Sequence, residues 1–227
     1  MTAAESAGLI SPHGGSLVNL VVPEAEREAL KAGVSRRIEC SHRNACDVEL
    51  LVVGGFSPLR GFMHQQDYEA VVAGHRTSSG LLFGLPIVFD TDDASIAVGE
   101  LLLLTYCGQE LAVFTVESRW EPDKAREAQG CYGTTSIEHP AVKMIATERG
   151  RIYLGGCVQG LELPCRVFPC KTPAEVRATL PEGQSVVAFQ CRNPIHRAHY
   201  ELFTRALEAA NVSEQGVVLV HPTCGPT

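Results

Sequence analysis

The sequence lacks the cysteine pattern of a disulfide framework or of a complete zinc module. Its nine cysteines are an odd number in 227 residues, and no two of them form a Cys-x-x-Cys pair. Both features indicate free thiols in a reducing compartment. Cys165 and Cys170 could form half of a zinc site, but no second close pair completes a tetrahedral set of ligands.

Long apolar segments and an ordinary secretion signal are also missing. Met1–Gly8 has neither a basic start nor an apolar core, so no signal peptide is predicted. Apolar runs such as Leu101–Leu104 are far too short to cross a bilayer. We therefore expect a soluble, cytoplasmic protein without a membrane partner, and a plastid location remains open if a transit peptide has been removed.

The chain has no internal repeats, no low-complexity stretch and no excess of positive charge. Its net charge is −7. Residues 168–227 contain five basic and five acidic residues, so residues 1–167 contain 14 basic and 21 acidic ones. Because phosphate contacts supply most nucleic-acid affinity, no nucleic-acid partner is expected. A small anionic substrate is expected to bind in the neutral C-terminal part.

The N-terminal pattern of many short apolar segments predicts a compact β-barrel or sandwich. Strands are expected at 14–22, 48–53, 85–90, 100–106, 109–117 and 151–158. Helices are expected at 67–73 and at 121–129, the latter with Pro122 in its first turn. Gly155 and Gly156 indicate a bulge or a close approach of another backbone segment.

The pattern changes after Pro164. A helix is predicted from Thr172 to Leu180, with Thr172 as N-cap and Glu175 one residue short of a regular capping box. A buried strand at 185–189, a helix at 197–210 and a second buried strand at 217–220 then form a βαβ unit. The predicted domains are residues 1–167 and 168–227, with the boundary near 165–172.

The loop between the first of these strands and its helix reads Gln-Cys-Arg-Asn-Pro-Ile-His-Arg-Ala-His over 190–199. Open α/β sheets bind ligands beyond the carboxyl ends of their strands. The start of the following helix offers unpaired N–H groups and the positive end of the helix dipole, which favour phosphate. The position of this loop therefore predicts a nucleotide-phosphate site.

The side chains of the loop fit the same purpose. Arg192 carries a planar fork of donors that suits sulfate or phosphate, and Gln190 and Asn193 add neutral donors. His196 and His199 are three residues apart, so they are expected to share one face at the start of the helix. Both imidazoles could donate hydrogen bonds to phosphate oxygens as charge develops there.

Simpler interpretations of the same residues exist. A histidine on a helix is usually an ordinary surface or core residue, His-x-x-His can be half of a zinc site, and an Arg-Asn-Pro turn is common. The combination between a buried strand and a helix favours the phosphate site. His-x-x-His in this position is also the pattern of nucleotidyltransferases that cleave ATP between its α- and β-phosphates.

The motif Gln-x-Arg-Asn-Pro-x-His-x-x-His resembles the nucleotide-binding motif of the ATP sulfurylase (sulfate adenylyltransferase) family. Other segments look like the N-terminal domain of that family, namely residues 12–15, 56–63, 133–135, 139–140 and 153–156. His221-Pro222, followed by Gly225 and Thr227, looks like the start of the family's next catalytic segment. The resemblance thus extends over nearly the whole chain.

The resemblance implies an α/β protein with a PUA-like β-barrel domain followed by the start of a Rossmann-like nucleotidyltransferase domain. It implies the conversion of ATP and sulfate into adenosine 5′-phosphosulfate and diphosphate, in sulfate assimilation or in the reverse direction. Mg²⁺ would accompany ATP through the phosphates, without a protein-bound metal. The full-length protein would be a homo-oligomer, as its relatives usually are.

The resemblance also implies roles for the loop residues. Gln190 and Arg192 would hold sulfate, and His196 and His199 would stabilise the transition state. The residues expected to bind ATP are Gln190, Cys191, Arg192, Asn193, His196 and His199. The same set without Gln190 is expected to be catalytic, namely Cys191, Arg192, Asn193, His196 and His199.

Two departures from the family pattern matter. Cys191 stands where relatives usually have Thr, and a thiol is the weaker hydrogen-bond donor. The family's second loop, of the Gly-Arg-Asp-His-Ala-Gly type, does not occur, so we expect an incomplete chain that is poorly active alone. Two alternatives are a catalytically silent fragment or paralogue acting as an interaction module, and a related adenylyltransferase with another acceptor.

A last segment of interest is Phe56–Met63. Arg60 could approach the nucleotide site from a turn there. The alternative, which we favour, is structural, with a Pro-fixed turn that places Phe62 and Met63 in the core.

Overall fold

The computed structural model describes residues 9–163, 168, 170–212 and 215–223. The chain divides into two compact units, Pro12–Cys165 and a second one that combines Met1–Ser11 with Arg166–Thr227. Residues 164–167 and 169 lie outside the described ranges, so the predicted boundary at 167/168 stays a prediction. Cys165 lies outside them as well, and its pairing with Cys170 in a zinc site is untested.

The larger unit mixes helices and strands. After a short 3-10 turn at His13–Gly15, its helices are α1 (Glu24–Lys31), α2 (His42–Val53), α3 (Gln65–Gly74), α4 (Lys124–Tyr132) and α5 (Pro140–Thr147). Its strands are β1 (Arg36–Glu39), β2 (Gly61–Phe62), β3 (Phe89–Thr91), β4 (Leu101–Tyr106), β5 (Gln109–Thr115), β6 (Ser118–Trp120) and β7 (Ile152–Gly160). The smaller unit contains α6 (Pro173–Thr179), β8 (Val186–Cys191), α7 (Arg197–Leu207) and β9 (Val217–Pro222).

Strand β7 organises the sheet of the larger unit. Its first half, 152–155, pairs with β3 and β6, and its second half, 156–160, pairs with β5 and β2. The change of partners falls at Gly155 and Gly156. A Cβ on Gly155 would lie 2.1 Å from the Met63 carbonyl oxygen, and one on Gly156 would lie 2.0 Å from that of Thr115. The predicted close backbone approach is confirmed.

Three phenylalanine rings pack together in the largely aliphatic main core. The Phe62 ring packs edge-on against Phe89 and Phe114, with centroids 5.5 and 5.2 Å apart. Phe62 and Met63 are each 2% exposed, whereas Arg60 is exposed. The structural interpretation of the segment 56–63 is therefore confirmed for its two apolar residues.

A buried carboxylate lies beside this core. Glu127 in α4 is 1% exposed. It accepts hydrogen bonds at 3.0 Å from the hydroxyls of both Tyr68 and Tyr153, and one at 3.2 Å from the Arg149 guanidinium. Burial is the largest of the effects that raise the pKa of both tyrosines, so their hydroxyls stay protonated and act as donors.

Two strand predictions are wrong. Residues 48–53 belong to helix α2, because the Ser41 hydroxyl accepts the Asn44 N–H at 3.1 Å and starts a helix whose buried positions include Ala45, Val48 and Val52. That spacing of three and four residues overrides the β-branched composition. Residues 14–22 begin with the 3-10 turn and then make only a single bridge, between Val21 and Gly160.

Other predictions hold with shifted bounds. Helix α4 starts after Asp123, whose carboxylate accepts the Arg126 N–H at 3.0 Å, so Pro122 precedes the cap instead of lying in the first turn. Of the strand expected at 85–90, only the last two residues are in a strand, β3, which begins at Phe89. Strands near 100–106, 109–117 and 151–158 and the helix near 67–73 are confirmed.

The start of α6 corrects the predicted cap. Thr172 and Glu175 form a complete capping box. The Thr172 hydroxyl accepts the Glu175 N–H at 3.3 Å, and the Glu175 carboxylate accepts the Thr172 N–H at 2.7 Å. The expectation of a box one residue short was wrong, because Glu175 is the third helical residue, as the motif requires.

Candidate functional site

The loop with the motif follows strand β8 in a βαβ unit, as predicted. Strands β8 and β9 are parallel, with Gln190 opposite His221 and Cys191 opposite Pro222. The carboxyl ends of both strands therefore meet at one edge, and helix α7 begins beside that edge at Arg197. This is the place where open α/β sheets bind ligands.

Gln190 and Cys191 occupy the last two positions of β8. Gln190 is exposed and Cys191 is half-buried, because successive side chains point to opposite faces of a strand. The Cys191 carbonyl accepts the Thr223 N–H at 2.9 Å, which extends the pairing past the strand end. The Cys191 side chain is a free thiol. In this geometry the backbone of Cys191 holds the two strand ends together.

The turn after β8 exposes the predicted anion-binding donors. Arg192 and Asn193 are both exposed. Other arginines, such as Arg36 and Arg149, pair with carboxylates. No carboxylate among the described residues lies within salt-bridge distance of Arg192. Its planar donors are therefore available to an anion.

His196 is the N-cap of helix α7. Its backbone is extended, with φ −125° and ψ 176°, and its side chain makes no capping hydrogen bond. The first N–H groups of α7 therefore have no side-chain cap from this residue. Uncapped N–H groups and the positive end of the helix dipole favour a bound anion.

The two imidazoles of the motif lie against each other. The rings of His196 and His199 are stacked, with centroids 3.8 Å apart and an angle of 24° between their planes. The prediction that they share one face is confirmed. His199 Nδ1 is buried and has no hydrogen-bond partner among the described residues.

Two residues near the motif were missed as functional candidates. The Phe189 ring packs against His199, with centroids 5.3 Å apart, and edge-on against Phe203 at 5.8 Å. His221 lies opposite Gln190 in the sheet. The sequence showed Phe189 only as a strand residue and His221 only as part of a downstream segment. The place of His221 follows from the parallel strand register, and that of Phe189 follows from the packing of β8 against α7.

The described residues do not supply a metal centre. Within them, no group of three or more His, Cys, Asp or Glu side chains could hold a metal ion. His196 and His199 thus have no third ligand in that part of the chain. In the same ranges, no helix combines the length and apolarity needed to cross a membrane.

Comparison with known proteins matches each unit separately. The PUA-like domain family matches residues 10–163, and the ATP-sulfurylase family matches residues 169–227. The chain is thus a PUA-like domain followed by a segment of ATP-sulfurylase type. Through residues 10–163, more than half of its length, the chain belongs to the PUA-like domain family, and the expected order of the two domains is confirmed.

Individual relatives agree with both matches. The chain is 38% identical to sulfate adenylyltransferase of Kluyveromyces lactis, over 96% of the chain and 45% of the relative. It is 40% identical to that of Phaeosphaeria nodorum, over 95% of the chain and 40% of the relative. A probable bifunctional SAT/APS kinase of Sorangium cellulosum is 39% identical, over 97% of the chain and 39% of the relative.

A solved structure supports the fold. The hexameric APS kinase from Thiobacillus denitrificans aligns with a TM-score of 0.72 and 28% identity, over 96% of this chain and 40% of that one. The chain therefore spans less than half the length of the proteins it matches.

Proposed function

We propose that this chain is part of a sulfate adenylyltransferase, which converts ATP and sulfate into adenosine 5′-phosphosulfate and diphosphate. The observation that carries the proposal is the pair of stacked imidazoles, His196 and His199, at the start of α7, a helix without a side-chain cap. The exposed guanidinium of Arg192 precedes them in the same loop. Similarity to relatives that bear this name supports the same conclusion.

The reaction asks the protein to hold two anions together. A sulfate oxygen attacks the α-phosphorus in line, and the new O–P bond forms as the bond between the α-phosphorus and its bridging oxygen breaks. Diphosphate leaves with that electron pair. Sulfate is already ionised, so no general base is required. The protein's task is positioning and charge stabilisation, and Mg²⁺ would arrive bound to the phosphates of ATP.

Each motif residue then has a proposed role. Gln190 and Arg192 hold sulfate, and Arg192 and Asn193 also line the ATP phosphates. Cys191 shapes the loop through its backbone, since its carbonyl is bound to the Thr223 N–H. The two imidazoles donate to the phosphate oxygens where negative charge increases in the transition state.

The proposal is tested with the protein of the complete reading frame, by sulfate-dependent release of diphosphate from ATP. His199→Asn should lower kcat by about 10²–10³-fold, as loss of one transition-state donor does. Arg192→Lys should lower kcat/KM at least about tenfold, because a point charge replaces a fork of donors. Arg205→Lys, an exposed change in the last turn of α7, is the matched control and should leave both constants unchanged. Full activity in His199→Asn and Arg192→Lys would contradict the assignment.

The 227-residue chain alone should bind ATP weakly and turn over little. No residue of α6 or α7 is buried as a whole within the described residues, so the loop has little rigid support. Steady release of diphosphate by this chain would overturn the expectation. Selenate or molybdate in place of sulfate would test the choice of oxyanion.

A silent interaction module is the competing function. Isothermal titration of the complete protein with ATP and then sulfate separates the two, since no heat with either ligand would favour the silent module. We further propose that the complete protein is a cytoplasmic homo-oligomer, which mass photometry and fractionation would test. The solved relative is described as hexameric.

A further inference from the structure

We infer that the larger unit binds a cationic N–H donor, a guanidinium or ammonium group, in a pocket lined by its own residues. This amine pocket is an open depression of about 190 Å³. Its lining includes Asn44 of α2, Glu39 at the end of β1, Asp90 and Asp92 near β3, and Glu148 after α5.

Asn44 gives the pocket an unused acceptor. The residue is 4% exposed, and its Oδ1 has no hydrogen-bond partner among the described residues. Its Nδ2 donates to the Asp90 carbonyl at 3.4 Å, which orients the amide and leaves Oδ1 unsatisfied. Buried polar groups are nearly always paired, and an unpaired one costs free energy. An N–H donor in the pocket would satisfy it.

The charge of the pocket specifies a cationic donor. All four ionisable residues among the described lining are acidic: Glu39, Asp90, Asp92 and Glu148. No arginine, lysine or histidine lines it among those residues. A ligand that brings both positive charge and N–H groups is therefore complementary.

Two of these carboxylates are already committed to the fold. Glu39 accepts from the Thr105 hydroxyl at 2.5 Å and from the Cys107 N–H at 2.8 Å. Asp90 accepts from Arg43 and, at 2.7 Å, from the Gly150 N–H.

The other two carboxylates keep acceptor capacity for a ligand. Asp92 Oδ1 accepts the Arg151 backbone N–H at 2.9 Å and lies 3.6 Å from the Nε of the exposed Arg151 guanidinium, which leaves Oδ2 for a ligand. Glu148 is exposed at the rim. Together with Asn44 Oδ1 they provide three acceptors for one cationic head group.

A bare metal ion fits the pocket less well. Within the described residues no group of three His, Cys, Asp or Glu side chains is arranged for a metal. A planar guanidinium has five N–H donors, which suits acceptors on several sides of a pocket. Such a group could come from a free amine or from an arginine side chain of a protein, and the two sources are separated below.

The test is a titration of the ¹⁵N-labelled 227-residue chain, followed by the side-chain NH₂ signals of Asn44. The probes are agmatine, for a free amine, and N-acetyl-arginine amide, for an arginine side chain. N-acetyl-citrulline amide is the neutral control of matched shape. We expect the Asn44 signals to shift with the charged probes, and the citrulline probe to bind at least about tenfold more weakly. The tighter of the two charged probes identifies the source.

Variants tie the binding to the pocket. Glu148→Gln and Asn44→Leu should each weaken binding about tenfold, and Glu138→Gln, on an exposed loop elsewhere, should not change it. If Asn44→Leu does not fold, Asp92→Asn replaces it. The proposal is overturned by shifts with Mg²⁺ but with neither charged probe, by equal binding of the citrulline probe, or by unchanged affinity in Glu148→Gln and Asp92→Asn.

Discussion

The imidazole rings of His196 and His199 lie stacked, with their centroids 3.8 Å apart, at the start of helix α7. His196 is the residue before the first helical turn, and His199 lies within that turn. The three-residue spacing brings the two rings over one another. The Phe189 ring on the neighbouring strand packs against His199 from β8. The pair therefore depends on a residue outside the helix.

Phe189 should act as a positioning residue for His199. In Phe189→Leu the residue stays apolar but the ring contact with His199 is lost, so the His199 Hε1 signal should move in a ¹H–¹³C spectrum. In the complete protein kcat should fall about three- to tenfold with little change in KM, because a misplaced donor acts mainly in the transition state.

Tyr200→Leu is the control for this change. Tyr200 is 57% exposed and packs edge-on against Phe203. Tyr200→Leu should leave both the His199 Hε1 signal and kcat unchanged. An unchanged Hε1 signal in Phe189→Leu would remove the positioning role.

The buried pair of Glu127 and Arg149 should dominate the stability of the larger unit. Glu127→Ala leaves the Arg149 guanidinium and two tyrosine hydroxyls without their shared acceptor. We expect the free energy of unfolding to fall by about 3–5 kcal/mol, as for other broken buried pairs. Urea denaturation measures it.

A double variant separates pairing from packing. Glu127→Leu combined with Arg149→Met should cost less than the sum of the two single changes, because no uncompensated charge stays buried. The exposed control, Glu138→Ala, should stay within about 0.5 kcal/mol of the parent. Strict additivity of the two changes would argue against a coupled pair.

The change of strand partners in β7 should require glycine at position 155, because this residue has no Cβ. In Gly155→Ala the new Cβ would lie 2.1 Å from the Met63 carbonyl oxygen, so the backbone must move. We expect a loss of about 2–4 kcal/mol in unfolding free energy. Gly74→Ala, in α3 with nothing within 4 Å of its Cβ, should instead gain about 0.5–1 kcal/mol. Equal effects of the two changes in thermal unfolding would refute this explanation.

Stability should fall in acid. A hydrogen bond from the Ser95 hydroxyl lowers the pKa of Asp93, one from the Ala97 N–H lowers that of Glu100, and one from the Lys31 ammonium lowers that of Glu110. A carboxyl whose folded pKa is lowered contributes stability above its unfolded pKa, and this contribution is lost as the pH falls through the folded value. The urea midpoint should therefore decrease as the pH drops below the ordinary values of 4.5 for Glu and 3.8 for Asp.

Single variants test which carboxyl groups cause the decrease of the urea midpoint in acid. Glu110→Gln should make the urea midpoint less dependent on pH, because it removes one carboxyl group with a lowered pKa. Glu138→Gln should leave the pH dependence unchanged. Asp47 acts in the opposite sense, since burial raises its pKa, so Asp47→Asn should steepen the loss in acid. A midpoint that stays constant between about pH 6 and pH 3 would contradict the assignment.

Local signals in the sequence were enough for the smaller unit. Residues 185–189 and 217–220 were continuous apolar runs around a helix, and they are parallel strands in the structure. Thr172, Pro173 and Glu175 predicted a helix start, and the structure shows that Thr172 and Glu175 form a complete capping box there. Within the motif from Gln190 to His199, the spacing of the two histidines was enough to predict that they share one face, because residues three apart at a helix start lie on the same side.

Other features needed the tertiary structure, since they depend on pairs far apart in the chain. The β-branched residues of the segment 48–53 predicted a strand. The segment is helical because Ser41 caps the helix and its apolar face packs on the core. The unsatisfied Asn44 and the acidic side chains around it come from several separate segments. Strand register alone sets His221 opposite Gln190. The sequence by itself determined the chemistry of the loop, because that chemistry is local. Only the tertiary structure decided which distant residues support it, because side-chain contacts between elements follow from packing and register.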